Sequence, residues 1–290
     1  MSFAGWRFAV NAPPRGTLYV VSTPIGNLGD ITYRAVEILK SVGLICAEDT
    51  RHVRKLLDRY EIKTRVTSYH EHNEAKSVPK LLERLTGGAD IALVTDAGTP
   101  LISDPGQRLV AAAVTAGVSV VPIPGASAPL AALVASGLDT DAFTFVGFLP
   151  RTGRDRDRVL SRLSALGHTS VMFESPSRLA ATLLDLSQRG LGGRQTVVAR
   201  ELTKQHEEFR RGTVSELEAY YRDNAPRGEV VIVVEGRGPE VEERDEGAMR
   251  DRARVLKAQG SSTRDTVASL VREYGVARNQ AYRIAQEAQE

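Results

Sequence analysis

The sequence predicts an α/β protein with a parallel-sheet N-terminal domain, a second α+β domain with a mixed sheet, and a small helical tail. Three observations carry that expectation. In the first half, short β-branched apolar runs alternate with Gly- and Pro-bearing turns and helical stretches, about five times over. Around Gly137 to Thr140 the pattern changes, and the strands that follow have fewer long helical patterns between them. Beyond an acidic, Gly-bearing stretch from Pro239 to Gly247, three short helices follow. The expected layout is a loose extension over 1–16, an α/β domain over 17–128, a second domain over 129–238, a linker over 239–247 and a helix-turn-helix-like domain over 248–290.

In the first domain, Leu18 to Thr23 reads as a strand, followed by the turn Pro24-Ile-Gly-Asn-Leu-Gly-Asp30 and a helix from Thr32 to Lys40, with Asp30 expected as its N-cap. This turn has neither a dinucleotide fingerprint nor a phosphate loop ending in Gly-Lys, which disfavours nicotinamide dehydrogenases and nucleoside-triphosphate hydrolases. Leu44 to Glu48 is the second strand, with Asp49-Thr50 capping a basic helix that carries Arg51, Arg54, Lys55 and Arg59. Val66 to His70 is the third. Ile91 to Val94 is a continuous apolar run, the mark of a buried parallel strand. It opens into Asp96-Ala-Gly-Thr-Pro-Leu-Ile-Ser-Asp-Pro-Gly106, a loop with two carboxylates, two glycines and two prolines. Val118 to Ile123 ends in a third such turn, Pro124-Gly-Ala-Ser-Ala128. Loops at the carboxyl ends of parallel strands are where open α/β sheets bind ligands, so these three turns are expected to line one crevice.

In the second domain, Phe143–Phe148, Ser170–Phe173, Thr196–Ala199 and Glu229–Val234 read as strands. An arginine cluster (Arg151, Arg154, Arg156, Arg158, Arg162) follows the first of them and is a basic patch for nucleic acid. In the tail, helices are expected over Ala248–Ala258, Thr263–Tyr274 and Arg278–Glu287, with eight basic residues against five acidic ones from Arg250 on. Net charge over the 290 residues is only +2, so any polyanion site must be local. The lone Cys46 excludes a disulfide framework, and His70 and His72 lack a third ligand, so no metal site is expected. No apolar run reaches membrane-spanning length, and a cytoplasmic protein is expected.

Several of these segments together resemble one family. They are Thr23–Asp30, Ala47-Glu-Asp-Thr-Arg51, Asp96–Gly106, Val121-Pro-Ile-Pro-Gly125, Gly147-Phe-Leu-Pro150, Phe173-Glu-Ser-Pro-Ser-Arg178, Ala199-Arg-Glu-Leu-Thr-Lys204 and Gly228-Glu229, in order. The chain resembles the RsmI family, ribosomal RNA small-subunit methyltransferase I, within the tetrapyrrole-methylase superfamily. The resemblance implies a two-lobed fold that holds S-adenosylmethionine between two α/β domains. It also implies methylation of the ribose 2′-hydroxyl of a cytidine in the decoding centre of 16S ribosomal RNA, and a homodimer. A sibling methyltransferase acting on a tetrapyrrole or a protein side chain, or a non-catalytic RNA-binding protein responsive to the cofactor, remains an alternative. Unlike macrocycle-methylating relatives, the chain has Pro24-Ile-Gly-Asn-Leu in place of a glycine-rich first loop, and Thr99 where they carry an aspartate.

By motif alignment, the resemblance implies cofactor contacts from Pro24, Ala97, Gly98, Thr99, Ile102, Ser127 and Ala128 in the first domain. From the second it implies Phe173, Glu174, Leu202, Gly228 and Glu229. Methyl transfer to an alcohol is helped by a base that accepts the hydroxyl proton. Asp30, Glu48, Asp49 and Asp104 sit in or beside strand-end loops and qualify by type. Asp30 is the expected base, with Arg51 and Lys204 as positioning groups.

Overall fold

A computed structural model of the chain describes residues 15–237, 246–276 and 278–288. The extension expected over 1–16 lies outside the described residues as far as residue 14, and the linker expected over 239–247 lies outside them between 238 and 245. The chain up to Gly236 forms one compact unit that holds both sheets, and the chain from Arg237 forms another.

The first sheet has five parallel strands, β1 (Thr17–Val21), β2 (Leu44–Ala47), β3 (Val66–Ser68), β4 (Ile91–Val94) and β5 (Ser119–Ile123), in the order β3-β2-β4-β1-β5. Its crossover helices are α1 (Tyr33–Ser41), α2 (Thr50–Arg59), α3 (Glu74–Thr86) and α4 (Gln107–Thr115). Every residue of β2 and β4 is buried, because helices cover both faces. Ile45, Ala47, Ala92 and Val94 pack with α1 and α2, while Leu44, Cys46, Ile91 and Leu93 pack with α3 and α4. Two-sided burial is why these strands read as unbroken apolar runs rather than alternating ones. Burial also pushes the Cys46 thiol up to about 12, which leaves it unreactive. The chain leaves β1 for a helix on one face and β4, its neighbour, for a helix on the other. Such a reversal opens a crevice beyond the strand ends.

Two local expectations are corrected here. The N-cap of α1 is Thr32, whose hydroxyl accepts from the Ala35 amide at 3.1 Å; Asp30 instead ends a short 3₁₀ turn over Leu28–Asp30. No helix is expected from the sequence between His70 and Ile91, where α3 forms, and burial of Leu81 and Leu85 holds it despite the backbone bond that Pro79 lacks.

The second sheet is mixed: β6 (Phe143–Phe148), β7 (Thr169–Glu174), β8 (Gln195–Arg200), β9 (Glu208–Thr213) and β10 (Val230–Val234), ordered β6-β7-β10-β8-β9. β6 runs parallel to β7 and the other pairs are antiparallel. On one face, α5 (Ala128–Val134) sets Ala132 and Leu133 against Val171, Val197, Ala199, Val231 and Val233. On the other, α6 (Gly153–Ala165), α7 (Leu179–Leu186) and α8 (Val214–Asp223) cover Met172, Val198, Val230, Ile232 and Val234. Ile25, from the turn after β1, joins the α5 cluster and so fastens the first sheet's loop into the second lobe's core.

The second compact unit contains α9 (Glu246–Ala258), α10 (Thr263–Tyr274) and α11 (Arg278–Glu287) around Met249, Ala253, Val267, Leu270, Val276, Ile284 and Ala285. The Ser262 hydroxyl caps α10 by accepting from the Asp265 amide, and Gly275 ends it. Among the described residues no helix is long and apolar enough to cross a membrane.

Candidate active site

Three turns at the carboxyl edge of the first sheet are fastened to one another. Thr23 and Gly98 form a two-way backbone bridge: the Thr23 amide donates to the Gly98 carbonyl at 2.8 Å and the Gly98 amide to the Thr23 carbonyl at 3.1 Å. The Thr23 hydroxyl donates to the Thr95 carbonyl at 3.1 Å. The Ser22 hydroxyl lies 3.0 Å from that of Thr99, which donates to the Ala126 carbonyl at 3.3 Å. Thr99 therefore clamps the loops after β1, β4 and β5 together, a hydroxyl's task for which a carboxylate has no proton. Gly98 has φ +85, a region costly to residues with a Cβ, so its backbone faces the cleft bare. Leu101 and Ser103 share that left-handed region without being glycine, at φ 73 and 68. The β4 loop thus holds a conformation that its surroundings impose.

The opposite wall comes from the second sheet. Phe173 packs edge-on against Phe145 with centroids 5.1 Å apart, and its ring centroid lies 5.3 Å from that of Phe148, a residue that is 57% exposed and lines the cleft. The Glu174 carboxylate is wholly buried and fully engaged. Oε1 accepts from the Ser175 amide at 2.8 Å and pairs with Arg178 at 3.3 Å, while Oε2 accepts from the Thr182 hydroxyl at 2.6 Å. At the rim, the Lys204 ammonium bridges Glu201 at 2.9 Å and Glu229 at 3.1 Å. Burial alone would depress the lysine's pKa, but these two carboxylates outweigh it and raise the value. Gly228, at φ +84, lies against Glu201 so closely that a Cβ would overlap its carboxyl.

Between these walls lies a cleft of about 480 Å³. Of the residues expected at the cofactor, Ala97, Gly98, Thr99, Ile102, Ser127, Ala128, Phe173, Glu174, Gly228 and Glu229 line it. Pro24 and Leu202 do not: both are buried, Leu202 within the α5 cluster. The three residues expected to act on the substrate are also outside the lining. Asp30 is exposed on its 3₁₀ turn. The Arg51 side chain is 90% exposed and paired with Asp49 at 2.8 Å, which holds the Asp49 carboxyl well below the usual range. Lys204 is committed to the rim bridge.

Sequence reasoning did not single out Ile25 or Phe148, which line the cleft. Phe148 stood in a quoted motif, and its strand-end position was the only available signal. The acids on the first-lobe wall are Glu48, Asp96 and Asp104. Burial raises Glu48 first, helped by the charges of Asp104 and Asp96; burial and Asp96 raise Asp104. The buried Thr95 hydroxyl moderates both shifts but makes no full hydrogen bond to either carboxyl.

The arginine cluster divides. Arg156 turns inward, pairing with Asp185 at 2.6 Å and donating to Thr182 at 3.0 Å and to the Pro150 carbonyl at 2.9 Å. That corrects its placement in a basic surface patch. Arg158 pairs with Asp155. Arg151, Arg154 and Arg162 are exposed and without a protein partner among the described residues, as are Arg54, Lys55 and Arg59 on α2.

Comparison with known proteins decides the family. The family model for tetrapyrrole (corrin/porphyrin) methylases matches residues 17–218. A protein of Synechocystis sp. named ribosomal RNA small subunit methyltransferase I is 49% identical over 94% of this chain and 98% of its own length. The protein of that name from Escherichia coli O157:H7 is 42% identical over 95% and 96%.

The chain belongs to the tetrapyrrole methylases, in the RsmI family.

Members of this superfamily use S-adenosylmethionine, and so does this chain. Among solved structures, cobalt precorrin-4 methyltransferase superposes with a TM-score of 0.60 at 20% identity, covering 78% of this chain and 98% of that one. Uroporphyrin-III C-methyltransferase from Thermus thermophilus, complexed with S-adenosylhomocysteine, gives 0.55 at 19%, covering 76% and 97%. At such identities the likeness shows the fold: a parallel sheet and a mixed sheet in two lobes, as read from the sequence.

Proposed function

We propose that this RsmI-family chain transfers a methyl group from S-adenosylmethionine to the ribose 2′-hydroxyl of a cytidine in the decoding centre of small-subunit ribosomal RNA. Family membership supports the coarser reaction, methylation of small-subunit ribosomal RNA. The observation that carries the finer reading is a cleft with a bare backbone turn and free carboxylates on one wall and an aromatic wall opposite, in a chain whose exposed Arg151, Arg154 and Arg162 have no protein partner among the described residues.

The residues present suit the cofactor. A cleft of about 480 Å³ falls within the usual range of small-ligand sites, roughly 300–1,000 Å³. Phe148 and Phe173 offer flat apolar surface to a purine, and Ala97, Gly98 and Ser127 offer backbone groups to its polar edges. Thr99, Ile102 and Ala128 complete the first wall, with Glu174, Gly228 and Glu229 on the second. Pro24, next to Ile25 in the chain, and Leu202, in one cluster with Ile25 and Phe173, support residues of the lining. When bound, S-adenosylmethionine supplies an electrophilic methyl on a positively charged sulfur. The fastened turns hold the reacting groups in line, and positioning of that kind supplies much of the rate. Arg151, Arg154 and Arg162, with the α2 cations and Arg51, hold RNA phosphates. We also assign the chain to the cytoplasm as a homodimer, with the exposed Leu130 and Val134 of α5 as apolar contact surface.

The test incubates the chain and methyl-labelled cofactor with small ribosomal subunits, a tetrapyrrole, or a protein extract. Label recovered as 2′-O-methylcytidine from one site supports the reading. Label on a macrocycle or protein, or cofactor binding without transfer, overturns it.

A further inference from the structure

We propose that Glu48, with Asp104 as its partner, accepts the proton of the sugar hydroxyl as the methyl is transferred. The premise is the sugar methylation proposed above; the inference names the groups that complete it.

Of the five carboxylates lining the cleft, three are already committed. Glu174 is spent on Ser175, Arg178 and Thr182. Glu229 is held by Lys204 and is 72% exposed at the rim. Asp96 accepts from the Asp49 amide at 3.0 Å. Glu48 and Asp104 alone accept no full hydrogen bond and have no ion pair among the described residues. Beside them sits the Thr95 hydroxyl, 3% exposed in its residue and without a full partner, the kind of buried polar atom that an incoming ligand satisfies. Among the described residues no lysine or arginine lines the cleft. The charges that act on this pair are Asp96 and, for Glu48, Asp49, whose cation Arg51 is bound to it. Glu174 and Glu229 in the same lining hold Arg178 and Lys204, and Arg108, beside the loop of Asp104, pairs with Glu74, which accepts from the Gly106 amide.

A carboxylate that is half-buried, beside like charge and without a cation is more basic than an ordinary one, which suits a general base. In the step, the sugar oxygen bonds to the methyl carbon while the carbon–sulfur bond breaks and its electron pair stays on sulfur. The hydroxyl proton passes to a Glu48 oxygen. The products are a neutral thioether, a methyl ether and a protonated carboxyl. Asp30, on the surface outside the cleft lining, has no place in this step.

The experiment measures single-turnover methylation of small ribosomal subunits across pH for the unmodified chain, Glu48→Gln and Asp104→Asn, with calorimetric titration of S-adenosylhomocysteine into each. Glu48→Gln is expected to slow transfer by about 10²- to 10⁴-fold with unchanged affinity for S-adenosylhomocysteine. Asp104→Asn removes a like charge, so the acid limb of the rate profile is expected to move to lower pH. Wild-type rate in Glu48→Gln overturns the proposal, as does an acid limb that stays put in Asp104→Asn. An affinity loss that matches the rate loss overturns it too, by making the pair cofactor ligands. Affinity for S-adenosylhomocysteine reports that each variant is folded. The unmodified chain separates the two readings: no sugar methyl from it overturns the premise, whereas a sugar methyl formed at the same rate by Glu48→Gln overturns only the proton acceptor.

Discussion

The two walls of the cleft spend their polar groups differently. On the second-lobe wall, Glu174 is buried with three partners, and Glu201, Lys204 and Glu229 form a closed bridge at the rim. What that wall leaves open is aromatic surface, Phe148 and Phe173. On the first-lobe wall the backbone is rigidly fastened, but Glu48 and Asp104 stand unsatisfied and Leu101 and Ser103 hold strained conformations. Strain alone does not separate the walls, since Glu201 and Thr203 of the second also have positive φ. Unspent carboxylates in the lining do, and such groups mark where a protein meets its ligand rather than itself. The second wall holds; the first reacts.

The largest effect that sharpens this contrast is on stability. Glu174→Ala leaves Arg178, Thr182 and the Ser175 amide without their shared acceptor, and is expected to cost about 3–5 kcal/mol, read as a lower urea midpoint. Glu48→Gln is expected to cost no stability at neutral pH, and an equal loss in both variants would erase the distinction between the walls. The same contrast runs through the arginine cluster. Arg156→Ala strips Asp185, Thr182 and Pro150 of one partner and is expected to cost about 2–3 kcal/mol. Arg154→Ala is expected to leave stability unchanged and to lower the salt slope of RNA binding by about 0.7–0.9, as measured by filter binding at several ionic strengths.

A smaller effect lies in the pH dependence of stability. Glu48 and Asp104 are raised above their ordinary values of 4.5 and 3.8, so the folded chain binds more protons than the unfolded one in the window between. The stability they contribute is complete below the ordinary values and is lost as pH rises through the raised ones. Glu48→Gln has no such loss. Its melting temperature is expected to match wild type in acid and to exceed it above that window, and a gain only in acid would contradict the assignment. Smallest is Lys204→Met. Its bridge to an exposed Glu229 is expected to contribute about 0.2–1 kcal/mol, weakening further in high salt.

Much of this was legible because the strands of the first sheet are buried on both faces and the turns at their ends need glycine and proline. Gly98 and the Asp96–Gly106 loop announced the crevice on composition alone. What stayed hidden depends on partners distant in sequence. Arg156 reads as one more surface cation until α7 brings Asp185 and Thr182 to it. Strand β9, Glu208-Phe-Arg-Arg-Gly-Thr213, mixes charges because it is an edge strand, and no buried alternation betrays it. Asp30 was attractive as a strand-end carboxylate, but only the fold shows it exposed outside the cleft lining while Glu48, at the end of β2, lies within it. Type and loop position are local properties; whether a carboxylate is already satisfied is not.

The division of labour between the walls is tested most directly by calorimetric titration of S-adenosylhomocysteine into Phe148→Ala and Glu48→Gln side by side. Loss of the exposed ring is expected to weaken binding about ten-fold, equivalent to about 1.4 kcal/mol, with the Glu48 variant binding as the unmodified chain does. Weakened binding in Glu48→Gln with Phe148→Ala unaffected would contradict it.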